Sequence, residues 1–221
     1  MGINEYFYAE EVDKNQLDEL LNQAWRHFGH YFFRYSSSDD GEKEQTVVPL
    51  RIELARFQLS KSQRKILKKN ADFDTYFRPA FIDEEKEDLF FFHKQKFSEN
   101  RPANIYNFLS ENPAKKPTQV YEVAVYNKKN ELVAVSFVDI SSNCFSSIYA
   151  MYLIRESYAK YSLGIFTLLK EIEFAKEMQK DYLHLGYAYS EASFYDYKKG
   201  FSALQAYDWE EGIWKNFKEN P

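Results

Sequence analysis

Between Ser60 and Asn70 the chain reads SKSQRKILKKN, with five basic residues and no acid. Ser60 and Gln63 have the S-x-x-Q spacing of a capping box, in which the serine oxygen accepts from the Gln63 backbone N–H and the glutamine side chain reaches back. The spacing predicts a helix starting at Lys61. Such a helix stacks Lys61 on Lys65, Arg64 on Lys68 and Lys65 on Lys69 at i,i+4, where like charges repel. An anion would relieve that repulsion, and free N–H groups at a helix N-terminus already suit phosphate. Ser60, Lys61, Ser62, Gln63, Arg64 and Lys68 are therefore candidate phosphate contacts, set against a plain solvated basic face.

A second junction is Tyr161-Ser162-Leu163-Gly164, followed by Ile165, Leu168, Leu169, Ile172 and Ala175 at helical spacing. A strand-to-helix turn of this kind carries Q/R-x-x-G-x-G/A in coenzyme-A-dependent acetyltransferases, where small residues admit the pyrophosphate. Here the first position is Tyr161 and the last is Phe166. Coenzyme A is disfavoured, and no other cofactor is indicated. Ser162, Leu163 and Gly164 still form a helix N-terminus able to hold a phosphate, the 3′ end of a tRNA or a developing oxyanion. The plain alternative is an N-cap serine with a packing glycine.

The elements that must position these residues follow from periodicity. Lys14 to Phe28 reads as an amphipathic helix ending at Gly29, and Ser36 to Gln45 as a polar, acidic, mobile loop. Pro49 onward reads as a strand leading to the basic helix. Asp83 to Phe97 and about Asn104 to Leu109 read as helices. Val120 to Tyr126 and Leu132 to Asp139 form a hairpin, with a third strand at Ser146 to Ile154, and Tyr182 to Tyr187 is a strand after the helix Ile165 to Gln179. Two or three antiparallel strands, a βαβ unit and closing strands give an α+β, acetyltransferase-like (GNAT-like) mixed sheet flanked by helices. The expected division is an N-terminal helix and loop region, 1–48, and a GNAT-like domain, 49–221.

Composition bounds the rest. The 221 residues are 44% hydrophobic, enough for one fair-sized core. No apolar run could cross a membrane and the acidic, aromatic N-terminus is no signal peptide, so a soluble cytoplasmic protein is expected. The single cysteine, Cys144, excludes an internal disulfide or a multi-cysteine metal site. A net charge of −5 argues against indiscriminate nucleic-acid binding but leaves room for one basic patch. His27, His30 and His93 read as structural or surface residues, and most of the 20 Phe and 18 Tyr as packing.

The order of several motifs resembles the arginyl-tRNA–protein transferase family, including its bacterial leucyl-transferring members. Pro49-Leu50-Arg51-Ile52 with the Ser60 to Asn70 segment, Trp25-Arg26-His27-Phe28-Gly29, Phe33-Arg34, Tyr161-Ser162-Leu163-Gly164, Leu185-Gly186-Tyr187 and Tyr197-Lys198-Lys199-Gly200-Phe201 carry it. The resemblance implies transfer of Arg or Leu from aminoacyl-tRNA to the α-amino group of proteins beginning with Asp or Glu. An activated ester needs positioning more than a protein nucleophile. A base for the ammonium proton is still useful, with Asp139, Glu171 and Tyr187 as candidates. Arg64, Lys198 and Arg56 are candidate readers of the acidic side chain, with Tyr197 and Lys198 falling on the late motif. Family members usually carry cysteines between the counterparts of Arg34 and Pro49. This chain has none there, which removes a metal site. An N-acetyltransferase and a non-catalytic tRNA- or peptide-binding module are the alternatives.

Overall fold

The computed structural model describes residues 2–39, 44–97 and 101–217. The N-terminal part is a small antiparallel sheet with one helix. Strand β1 (Asn4–Tyr8) leads to helix α1 (Lys14–Asn22), then β2 (Arg26–Phe28) and β3 (Tyr31–Tyr35), with strand order β1-β3-β2. Asp13 caps α1 reciprocally with Gln16. The helix is shorter than the periodicity predicts: Ala24 takes a positive φ of 63°, which breaks it, and Arg26 to Phe28 pair with β3 instead. Helical spacing of Trp25 and Phe28 misled because both find partly buried positions without a helix, Trp25 against Phe7 just before β2 and Phe28 against Phe108 from β2.

The acidic loop expected at Ser36 to Gln45 is in part a hairpin. Strand β4 (Ser37–Asp39) pairs with the start of β5 (Glu44–Glu53), and residues 40–43 lie outside the described residues. Helix α2 (Lys61–Lys69) starts where expected, with the Ser60–Gln63 capping box formed. Strand β6 (Asp74–Pro79) and helix α3 (Glu84–His93), capped by Asp83, follow. The helix expected at Asn104 to Leu109 is only a 3-10 turn at Ile105–Asn107.

Strands β7 (Val120–Tyr126), β8 (Leu132–Ile140) and β9 (Cys144–Tyr152) form the expected meander, β9 beginning two residues earlier than predicted. A short helix α4 (Glu156–Ala159) precedes α5 (Leu163–Glu177), which crosses over to β10 (Tyr182–Tyr189), parallel to β9. Strands β11 (Leu204–Asp208) and β12 (Ile213–Asn216) complete a sheet of order β12-β11-β5-β10-β9-β8-β7-β6. Leu168, Leu169 and Ile172 of α5 pack with Leu50, Ile52, Val138, Ile140, Leu183 and Leu185 on one side. The N-terminal sheet sits on the other, where Asp139, adjacent to Val138 and so pointing oppositely, holds His27.

Candidate active site

Two parallel strands part company at the centre of the sheet. Strands β9 and β10 pair only from Cys144 to Ser146 and from Tyr182 to His184. Each then bulges against its outer neighbour: Ile148 has no register partner on β8, and Leu185 none on β5. A bulge bends its strand and sharpens its twist, so the two diverge. Between them opens a cavity of about 1050 Å³, walled by Ser147 to Ala150 and Tyr152 of β9, by Leu153 to Arg155 just after it, and by Leu185 to Tyr187 of β10.

The two sides of the sheet furnish different walls. From the α5 side come Ser162, Leu163, Gly164, Ile165, Thr167, Leu168 and Glu171. Ser162 adopts a left-handed backbone at φ 51° and its side chain makes no capping hydrogen bond, so the N-cap-serine alternative does not describe it. Gly164 is required by space, since a Cβ there would lie 2.9 Å from the Tyr152 ring. From the N-terminal sheet come Arg26, Phe28, Phe33 and Tyr35, and from the segment after β10 come Tyr195, Tyr197 and Lys198.

Three charged groups are buried here. Glu171 is fully buried, and burial pushes its carboxyl up to about 7, against the pull of the Ser136 and Ser147 hydroxyls and of Arg26. Neither carboxylate oxygen makes a hydrogen bond of ordinary geometry. Arg26 donates to the Ser146 hydroxyl at 2.9 Å and to the Ser147 carbonyl, and its burial lowers its pKa. Gly186, at φ +82°, lets the guanidinium lie against the backbone, where a Cβ would come within 3.1 Å of its carbon. Lys198 donates to the Tyr187 carbonyl at 2.7 Å, and burial beside Arg26 brings its ammonium down to about 7.

The expected site residues thus divide. Glu171, Tyr187, Ser162, Leu163, Gly164, Tyr197 and Lys198 all line the cavity. Tyr187 is a poor base nonetheless, because its hydroxyl donates to the Ala24 carbonyl at 2.8 Å and burial raises its pKa well above the usual phenol range. Asp139 is corrected: it does not line the cavity, and His27 Nε2 at 2.7 Å and the Thr118 hydroxyl at 2.6 Å occupy its two oxygens, so it ties β2 to β8. Arg56 pairs with Glu53 at 3.1 Å, and Arg64 donates to the Leu59 carbonyl; both lie away from the cavity and cannot read a group inside it.

Ser60, Lys61, Ser62, Gln63 and Lys68 are likewise outside it, on α2. The far end of that helix is tied to the cavity's α5 side, however. Asn70 donates to the Tyr161 carbonyl at 2.9 Å and Lys69 to the Lys160 carbonyl at 3.1 Å, immediately before Ser162. The basic residues of α2 make no ion pair with any described residue. Cys144 is buried with its thiol pushed up to about 12, and no three His, Cys, Asp or Glu converge among the described residues, so the chain does not fit the family's cysteine-held metal. Arg26 is the residue that sequence reasoning missed. It stood in a quoted motif, but reading that motif as a helix gave its side chain no destination.

Comparison with known proteins bears on the family and the fold. Family models for the N terminus and C terminus of arginine-tRNA-protein transferase match residues 3–65 and 85–208. An aspartate/glutamate leucyltransferase of Campylobacter jejuni is 31% identical over 208 residues, spanning 90% of this chain and 82% of that one. One of Marinobacter nauticus is 27% identical over 212 residues, spanning 92% and 83%. Among solved structures, FemX matches with TM-score 0.51 at 10% identity over 92% of this chain and 69% of that one. The C-terminal domain of a protein described as a lysylphosphatidylglycerol synthetase, from Agrobacterium fabrum, matches with TM-score 0.51 at 12% identity over 83% and 54%. These structural likenesses bear on the fold alone, which is the acetyltransferase-like one expected. Two family models spanning most of the chain, together with the Campylobacter relative, make the protein a transferase belonging to the arginine-tRNA–protein transferase family.

Proposed function

We propose that the protein transfers leucine from leucyl-tRNA to the α-amino group of proteins whose first residue is Asp or Glu, in the cytoplasm where charged tRNA is found. The observation that carries this reading is a fully buried Glu171, without a hydrogen bond of ordinary geometry, in the lining of one cavity with two buried cations, Arg26 and Lys198. Leucine as donor is supported by the names of the relatives and by the apolar wall of Leu153, Leu163, Ile165 and Leu168. The aminoacyl end enters from the α5 side, next to the basic residues of α2. Coenzyme A is disfavoured because the Tyr152 ring crowds Gly164 and Phe166 is buried in the core.

The acceptor's carboxylate pairs with Arg26 and Lys198, as planar or point cations do with carboxylates. Its ammonium group, with a pKa near 7.7 to 8.0, must lose a proton to become nucleophilic. The free amine then attacks the ester carbonyl. Glu171, held at about 7, accepts a second proton from the attacking nitrogen and returns it to the departing ribose oxygen. One C–N bond forms, one C–O bond breaks, and one proton leaves to solvent. The N–H groups at the start of α5 face the developing oxyanion. Residues 1–48 as an N-terminal attachment and 49–221 as the transferase domain belong to the same reading.

An in vitro assay with leucyl- and arginyl-tRNA against peptides beginning with Asp, Glu, Lys or Ala tests it. Transfer of leucine to the Asp and Glu peptides alone is expected. Equal transfer to Asp and Ala peptides would overturn the acceptor assignment, and arginine transfer alone the donor.

A further inference from the structure

The three-stranded N-terminal sheet packs one face on α1, and its other face is exposed at β1 and passes under Tyr187 and Phe108 toward β2. Phe7 and Phe32 stack at 5.0 Å on the packed face, over Leu17 and Leu21 of α1, and Glu5 and Arg34 pair there too. Alternation puts Tyr6 and Tyr8 of β1, Tyr31, Phe33 and Tyr35 of β3, and Arg26 and Phe28 of β2 on the opposite face, since Arg26 registers with Phe33 and Phe33 with Tyr6. Tyr6 and Tyr8 are 65% and 73% exposed. Their rings lie 5.7 and 5.2 Å from Tyr31, which stacks at 5.5 Å on Phe33, itself 5.8 Å from Tyr35. The aromatic strip is therefore continuous from solvent to the cavity wall, and it arrives at Arg26.

We infer that this strip is the docking surface for the extended N-terminal segment of the acceptor protein, gripping the residues that follow its acidic first residue. The inference rests on the acceptor reading above. Two observations choose the occupant. The strip leads to the cations Arg26 and Lys198, on the side of the sheet opposite α5 and its basic neighbour α2. The open faces of β1 and β3 carry no lysine or arginine, so a nucleic-acid backbone would find no counter-charge there, whereas flat tyrosine faces suit apolar side chains and, by cation–π contact, basic ones. From β2 across β3 to β1 is two strand spacings, about 10 Å, the reach of about three extended residues. Positions two to four of the acceptor lie on the strip, with apolar or basic side chains preferred.

The test compares an Asp-led dipeptide with Asp-led peptides of three to eight residues, apolar or basic at positions two to four. It uses the full-length protein and a Tyr6→Thr/Tyr8→Thr/Tyr31→Thr variant, threonine being well tolerated in strands. In the unaltered protein kcat/KM rises on the order of ten-fold from two residues to five and then levels, as each aromatic contact adds a modest increment. The variant loses that rise through KM, while its dipeptide transfer and its KM for leucyl-tRNA are unchanged. A kcat/KM independent of length overturns the inference. A raised KM for leucyl-tRNA in the variant overturns it too and gives the strip to RNA. Fluorescence anisotropy of the labelled five-residue peptide is read alongside. Binding that depends on length and on the tyrosines, without transfer to any acidic peptide, would sustain the strip and sink the reaction assigned above. Should the triple variant fold poorly, Tyr8→Thr alone, at the most exposed position, gives the same pattern at smaller size.

Discussion

Two glutamates in this protein are equally buried and sit in opposite surroundings. Glu122, on β7, is enclosed by cations: Arg78 donates to it at 2.7 Å, the buried Lys86 lies 3.5 Å away, and the Phe81 N–H reaches its second oxygen. Burial pushes its carboxyl up, and those partners pull it back. Glu171 is as deeply buried and belongs to the cavity lining, yet its oxygens make no hydrogen bond of ordinary geometry, and burial leaves it at about 7 against the weaker pull of Ser136, Ser147 and Arg26. Burial of an acid is thus no mark of function by itself. The missing hydrogen bonds and the adjoining cavity are what recommend Glu171, and not Glu122, as the base proposed above.

The contrast is broken most sharply by two matched substitutions. Glu171→Gln preserves shape and removes the base, and single-turnover transfer should fall on the order of 10² to 10⁴-fold. Stability should move the other way. The folded pKa lies above the unfolded one, so the native protein loses stability as pH rises from about 4.5 to 7. The glutamine variant escapes that loss and should unfold later at pH 8, by at most about 3 kcal/mol, with little difference at pH 4. Glu122→Gln should do the reverse. It takes from Arg78 and the buried Lys86 the carboxylate they share, leaving Lys86 with Asp83 and Arg78 with Tyr126, and costs up to roughly 3 to 5 kcal/mol in denaturant unfolding, with kcat preserved in the fraction that folds. Lost catalysis in Glu122→Gln and normal catalysis in Glu171→Gln would invert the assignment.

Lys198→Met comes next in size. It removes a charge-assisted contact worth about 1.5 to 3 kcal/mol, so KM for Asp-led peptides should rise roughly ten- to a hundred-fold, with Ala-led peptides unaffected. Lys128→Met, in the β7–β8 turn, exposed beside Asp74 and not part of the cavity lining, should be silent. pH profiles sharpen the same point. Transfer needs Glu171 ionised and Lys198 charged, and both titrate near 7, so kcat/KM should peak narrowly around neutrality. Glu171→Gln should lose its own share of the acidic limb, leaving the shallower rise set by the acceptor's ammonium near 7.7 to 8.0, and Lys198→Met should lose the alkaline limb.

Much of this architecture was legible in the sequence, and the failures are instructive. The capping box at Ser60 and Gln63, the hairpin of β7 and β8 and the crossover α5 follow from local spacing, and each is where that spacing puts it. Glu171 and Lys198 were nameable only as two candidates among several, because burial and the absence of partners are properties of packing. Asp139 failed for the same reason in reverse: nothing in the sequence says that Thr118 and His27, 21 and 112 residues away, will occupy it. Arg26 was lost to a period error. Trp25 and Phe28 fit a helix stripe, whereas a left-handed Ala24 ends the helix and turns the arginine into the cleft.

The smallest expected effect belongs to α2, and it separates long-range attraction from chemistry. Lys61, Arg64 and Lys68 are exposed and unpaired by any acid among the described residues, while Lys69 and Asn70 fasten the helix end to the loop before Ser162. Charges outside the cavity cannot touch the reacting atoms, so their contribution must pass through the tRNA backbone. Each phosphate contact releases about one counterion, which makes affinity fall with salt. Replacing all three with glutamine should therefore weaken tRNA binding only several-fold near physiological salt, yet flatten the slope of log affinity against log salt by up to about 3. Single-turnover rates at saturating leucyl-tRNA should be unaltered, in contrast to Glu171→Gln. An unchanged salt slope would detach α2 from the tRNA and leave it a solvated basic face, with its like charges separated by water.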